Sequence, residues 1–174
     1  KSLVVVEERV GTPRYGLLET VREYALQRLI ESGEMEAVRR RHASFFLALT
    51  ETANLADATV GVWLKPFMAE HDNLRAALDW AFESDPVLGL RLAEALMPVW
   101  WSGGYLSEGR GQVVRALSLT ETIGSPKTRA KILHFAGALA WQQGDYAAAR
   151  SFYGESVKLA RETGDKVRVA KVLR

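Results

Sequence analysis

The sequence contains no cysteine at all, which excludes disulfides, thiolate metal sites and a thiol nucleophile. Charge of one sign is also lacking. With 23 Lys and Arg against 21 Asp and Glu, the net charge is +2, so no basic or acidic tail imposes a nucleic-acid or polycation partner. No apolar run reaches the ~18 residues of a membrane span, and the N-terminus lacks the layout of a signal peptide. A membrane partner is therefore not expected, and a reducing, cytoplasmic setting is. The chain opens on Lys1 rather than methionine and stops at Arg174 inside a helical pattern, which reads as a fragment of a longer protein. What is present is 48% hydrophobic residues, enough for a sizeable core in 174 residues.

Residues 1–18 differ from the rest. Leu3-Val4-Val5-Val6 is a β-branched run, and Tyr15-Gly16-Leu17-Leu18 is its expected partner across a turn with Gly11 and Pro13. Thr20 stands three residues before Glu23, the spacing of a capping box, and a helix follows until Gly33. The next helix is expected from about Met35 to Ala56, with Val38, His42, Phe45, Leu49, Thr52 and Ala56 as its apolar stripe. A third shows the same rhythm in Leu64, Phe67, His71, Leu74, Leu78 and Ala81, with Pro66 near its start and Ser84-Asp85-Pro86 as its end.

From Pro86 the sequence repeats at 40 residues. Trp101 falls on Trp141, Gly104 on Gly144, Leu106 on Tyr146, Arg110 on Arg150, Leu117 on Val157 and Leu119 on Leu159, and Ala130-Lys131-Ile132-Leu133 falls on Ala170-Lys171-Val172-Leu173. Each unit reads as helix, tight glycine turn, helix and polar loop (Gly124-Ser125-Pro126, Thr163-Gly164-Asp165). A helix pair that cannot bury its apolar face alone has to stack on its neighbours. The expected architecture is all-α, helical-hairpin repeats of α-solenoid type, with a small N-terminal β-hairpin. The expected organisation is a hairpin at 1–18, a helical connector at 19–83 and repeats at 84–174, divided into 84–125, 126–165 and a truncated 166–174.

The second unit resembles a tetratricopeptide repeat. Gly137, the Gly144-Asp145-Tyr146 turn, Ala149 and Tyr153 occupy that family's positions for close helix packing, turn and aromatic knob. Ala140 stands for its usual tyrosine and Ser156 for its usual alanine, and 40 residues exceed its ~34. The wider chain resembles the region after the ATPase module in STAND-class bacterial transcriptional regulators, LuxR-like or SARP-like. The stretches that carry this are Arg14-Tyr15-Gly16-Leu17-Leu18-Glu19-Thr20-Val21-Arg22-Glu23-Tyr24-Ala25, Glu70-His71-Asp72-Asn73-Leu74-Arg75-Ala76-Ala77-Leu78-Asp79-Trp80-Ala81, and Trp100 to Arg110. The resemblance implies that the hairpin is the wing of a winged-helix domain, and that an upstream ATPase module of the same chain binds ATP and Mg. It implies no cofactor in this segment, no direct nucleic-acid contact by it, and a protein or small effector as the partner of the repeats.

Chemistry of its own is weakly signalled. His71-Asp72, with His42 upstream, is the nearest thing to the ligand set of a helical metal-dependent hydrolase, but both histidines sit on apolar stripes and no third ligand is evident. Trp100-Trp101-Ser102-Gly103-Gly104 lacks the Lys-Ser/Thr of a phosphate-binding loop and reads as an interhelical turn. Arg39-Arg40-Arg41 points in three directions from a helix and reads as a solvated face or an interdomain contact rather than a nucleic-acid surface. The expectation is a non-catalytic segment, with a stand-alone adaptor and a metal-dependent hydrolase as alternatives. The candidate binding residues lie on the first helix of each unit: Arg91, Glu94 and Trp101, then Lys131, His134 and Trp141, then Lys171 and Arg174. Offsets of three, four and three (through Pro98 and Ala138) put each set on one face, a groove with two tryptophans and several cations. The competing reading is that both tryptophans fill the space between helix pairs.

Overall fold

The computed structural model describes residues 3–9, 12–52 and 60–172. The chain is mostly helical, with a small two-stranded antiparallel sheet. It divides into two compact units, Lys1–Arg40 and Arg41–Arg174.

In the first unit β1 (Val4–Arg9) pairs with β2 (Thr12–Leu17), in the register Val4↔Leu17, Val5↔Gly16, Val6↔Tyr15. Pro13 belongs to β2, opposite Glu8, rather than to the turn. Gly11 lies outside the described residues. Helix α1 (Glu19–Glu31) follows with Leu18 as its N-cap, and no side chain caps it. The capping box expected at Thr20 is therefore absent. The strand runs to Leu17, so the extended-to-helical change falls on Leu18 (φ −57°, ψ 144°), two residues too early for the Thr20 hydroxyl to serve. Glu19 in the first turn pairs with Arg22 instead. Gly33, at φ +73°, ends the turn after α1.

Helix α2 (Met35–Thr52) buries Ala43, Phe46, Leu47 and Thr50, and leaves Phe45 61% and Leu49 38% exposed. The expected stripe through Phe45 and Leu49 is thus displaced by one residue. Two apolar rows run side by side on this helix, both at helical spacing, and periodicity alone does not choose between them. Ala56 of that stripe lies outside the described residues. The expected third helix is two, α3 (Val60–Ala69) and α4 (His71–Ser84), broken at Glu70. Pro66 sits inside α3 rather than at its start. Leu74, Ala77, Leu78, Trp80, Ala81 and Phe82 of α4 are buried.

Helix pairs follow: α5 (Pro86–Ser102) with α6 (Leu106–Leu119), then α7 (Pro126–Gln142) with α8 (Tyr146–Glu162), then α9 (Lys166–Val172). Each helix packs on the next, and α5 also touches α7, as α7 touches α9. The 40-residue shift is written into the backbone. First helices begin at residues 86, 126 and 166, and second helices at 106 and 146. Asp85, Ser125 and Asp165 each accept a hydrogen bond from the backbone N–H three residues on, at 3.2, 3.0 and 2.9 Å. Gly104 and Gly144 both close their turns at φ +78°, where a side chain would be strained.

The core is continuous from α2 to α7, with Leu92, Ala93, Val99, Trp100, Val113, Ala116, Ile132 and Leu139 at most 2% exposed. The two complete pairs fill their interiors differently. In the first, Trp100 of α5 lies over Gly109 of α6, where an added Cβ would stand 2.8 Å from the tryptophan Cβ. In the second, Gly137 of α7 faces Tyr153 of α8, with an added Cβ 2.7 Å from its ring. The shift-equivalents of Trp100 and Gly109 are Ala140 and Ala149, both buried. Ser156, where the tetratricopeptide pattern has alanine, is fully buried and its hydroxyl donates to the Ala130 carbonyl at 2.7 Å, tying α8 to α7.

Candidate binding face

The first helices α5, α7 and α9 carry the residues singled out in the sequence. Trp101 and Trp141, each the last residue but one of its helix, are 41% and 56% exposed, so neither is core. No ring contact joins one indole to the other. An exposed tryptophan is large, rigid and half-desolvated already, which suits it to gripping a partner.

Among the polar residues, Lys131 of α7 donates from Nζ to Glu94 Oε2 of α5 at 2.8 Å, and Arg91 donates to Glu51 of α2 at 2.7 Å. Both pairs are partly exposed and contribute little to stability; they fix the side chains' directions. His134 of α7 is half-buried beside the Tyr153 ring, 5.6 Å between centroids. Burial first, then the positive charges of Arg168 and Lys171, push its pKa below the ordinary imidazole value. Arg174 lies outside the described residues.

The second and first pairs are also joined by polar side chains. Arg110 of α6 donates to Asp145 Oδ2 at 2.5 Å and to Gln143 Oε1 at 2.9 Å in the α7–α8 turn. Asp145 also accepts from the Ala148 N–H at 3.2 Å. The Arg110 hydrogen bond, then the backbone one, hold the Asp145 carboxyl below the usual carboxylate range. Arg129 at the start of α7 bonds Glu155 of α8 at 2.9 Å and the Leu117 carbonyl of α6 at 3.3 Å.

Sequence reasoning did not find the cluster on α4 and α6. His71 stacks on Tyr105, 4.0 Å between centroids and 13° between planes. Its Nε2 lies 3.1 Å from Glu108 Oε2, near enough for an ion pair but not aligned as a hydrogen bond, and Arg75 approaches the same carboxylate at 3.8 Å. The cavity beside them, against Trp100, is about 10 Å³, room for no more than a water. Its members are drawn from sequence positions up to 37 residues apart, and no local pattern links them. His42 packs on Phe46 at 4.9 Å, and burial lowers its pKa. Among the described residues no three His, Cys, Asp or Glu side chains group as a metal ion needs. Arg39, Arg40 and Arg41 are exposed. Among them too, no helix is long and apolar enough to cross a membrane.

Known proteins match part of the chain. A protein of Mycobacterium tuberculosis named "Putative HTH-type transcriptional regulator" is 42% identical over 111 residues, which are 63% of this chain and 12% of that protein, and its namesake in Mycobacterium bovis matches equally. An "Uncharacterized protein" of Mycobacterium tuberculosis is 52% identical over 42 residues, 24% of this chain and 11% of its own length. This chain thus corresponds to a small part of much longer relatives, and its similarity to a transcriptional regulator is the functional link they provide. No family profile and no solved structure matches.

Proposed function

We propose that this segment is the interaction and sensor arm of a STAND-type ATPase transcriptional regulator. Its helix pairs from residue 84 onward act as tetratricopeptide-like repeats that stack into a curved rod, and the face with Trp101 and Trp141 takes a protein or small effector. Hairpin and α1 are the end of a winged-helix domain, and the helices up to residue 83 connect it to the repeats. ATP and Mg bind the upstream module, the DNA-binding helix-turn-helix lies elsewhere in the parent, and the whole acts in the cytoplasm. This segment performs no chemistry and holds no cofactor.

The observation that carries the reading is the pairing of a 40-residue repeat of helix starts, first-helix caps and left-handed glycines with two exposed indoles at equivalent positions. A repeat scaffold that spends two of its largest apolar side chains on solvent is built to bind. The similarity to a named transcriptional regulator gives the context. Effector binding shifts the balance between two packings of the ATPase module only through unequal affinity for them. The test is deletion of residues 84–174 from the parent protein. The reading predicts that ATPase activity loses its effector response; an unchanged activity and response would remove it.

A further inference from the structure

Charged and titratable side chains meet where α4 reaches the start of α6. His71 and Arg75, one turn apart on α4, both face Glu108 in the first turn of α6. His71 Nε2 stands 3.1 Å from Glu108 Oε2, and Arg75 Nε stands 3.8 Å from Oε1. The imidazole also lies flat on the ring of Tyr105, the N-cap residue of α6, with 4.0 Å between centroids. The His71 and Glu108 side chains are 17% and 22% exposed, so water screens their attraction only in part. Arg75 is 53% exposed and its charge counts for less. The small cavity beside them is lined from α5 by Leu96, Val99 and Trp100, which carry no charge. Along the chain, Glu70 and Asp72 flank the histidine.

This geometry suits one protonation state better than the other. His71 Nε2 is buried and makes no hydrogen bond, although a carboxylate oxygen is 3.1 Å away. In a neutral ring that nitrogen either turns a lone pair toward the carboxylate or holds a badly aimed N–H. In an imidazolium the attraction depends on distance more than on angle, so the same placement becomes favourable. The positive ring also gains from the π face of Tyr105 beneath it. Opposing both are the positive helix N-terminus at which His71 sits and the more exposed charge of Arg75. The Glu108 contact is the closer and the drier, and it dominates.

We propose that His71, Tyr105 and Glu108 form a proton-operated latch between α4 and α6. Protonated, His71 draws in the Glu108 carboxylate and clamps the start of α6 onto α4. Neutral, it releases that end. A second link between the same helices, from Arg115 of α6 to Asp79 of α4 at 2.5 Å, contains no histidine and keeps its hold in both states. The latch therefore acts at the Tyr105 end, four residues beyond Trp101 across the turn that closes α5. It depends on neither the effector nor the ATPase of the proposed function.

The experiment is a double-mutant cycle with His71→Gln and Glu108→Gln, followed by chemical denaturation of this chain at about pH 5.5 and about pH 8, either side of the usual histidine range. In the wild-type background, Glu108→Gln should raise the unfolding equilibrium constant about five-fold more at the lower pH than at the higher. In the His71→Gln background its effect should be the same at both. His42 and His134 are common to every variant, so their titrations cancel in the cycle. Tyr105→Leu should shrink the pH dependence of the coupling without abolishing it. A nuclear magnetic resonance titration of the wild-type chain needs no variant to fold: the Tyr105 ring protons and the first-turn amides of α6 should follow the His71 ring. Coupling of equal size at the two pH values, or Tyr105 and α6 signals that ignore the His71 titration, would overturn the latch.

Discussion

The two complete helix pairs share a backbone and exchange their interiors. α5–α6 puts a tryptophan on the first helix and a glycine on the second, whereas α7–α8 puts the glycine first and a tyrosine second. Helix starts, the caps of the first helices and the turn glycines coincide under the shift, while the largest side chain of the interface changes sides. The lesson is that capping and turn chemistry hold the register, while the place of the bulky side chain within each interface is free to change.

The largest way to break this comparison is to empty one interface. Trp100→Ala removes an indole that is 2% exposed and should cost about 3–5 kcal/mol in chemical denaturation. Gly109→Ala alone should destabilise by about 1–3 kcal/mol, because its methyl meets Trp100. In the Trp100→Ala background the same change should cost less, because the ring carbons at 3.0 and 3.3 Å are gone, but should still destabilise, because the β-carbon at 2.8 Å remains. An additive result in that cycle would show that the two residues are not packed together. Gly137→Ala should mirror Gly109→Ala in size, with Tyr153 as the obstacle.

A smaller effect tests the backbone side of the comparison. Gly104→Ala and Gly144→Ala each force a side chain into φ +78° in open space, so each should lower stability by about 1 kcal/mol and by nearly equal amounts. Unequal losses would mean that the turns are not equivalent.

The smallest is a difference in pH dependence. Only the second turn has an aspartate, Asp145, where the first has Tyr105. Its carboxyl is lowered in the folded chain, so its contribution is present above the ordinary carboxylate range and is lost as pH falls through the lowered value. The melting temperature of the wild-type chain should therefore decline more steeply on acidification than that of Asp145→Asn, which starts lower at neutral pH. Parallel profiles would remove Asp145 from the account.

What was legible in the sequence follows the same division. Turn glycines, caps and the β-branched run at Val4 are local signals, and they located the hairpin and the helix pairs. Side-chain direction is not local. Phe45 and Phe46 are equally apolar neighbours, and only the packed surroundings select Phe46 for the core. Likewise nothing near Glu70 announces the break between α3 and α4, where Pro66 sits within α3 and withholds a backbone N–H. Of the candidate face, the spacing placed Trp101 and Trp141 on one stripe but could not say whether that stripe was wet or dry. The His71, Tyr105 and Glu108 cluster depends on α4 meeting α6, which no spacing encodes.

The absence of cysteine makes the stacking of first helices open to direct measurement. Val87, Lys127 and Val167 are exposed, repeat-equivalent second residues of α5, α7 and α9, and each can be changed to cysteine and spin-labelled in pairs. Stacked pairs predict matching 87/127 and 127/167 distance distributions, set by helix axes about 10 Å apart plus the label arms, with 87/167 clearly the longest. Unequal neighbouring distances, or an 87/167 separation no longer than either, would contradict the account.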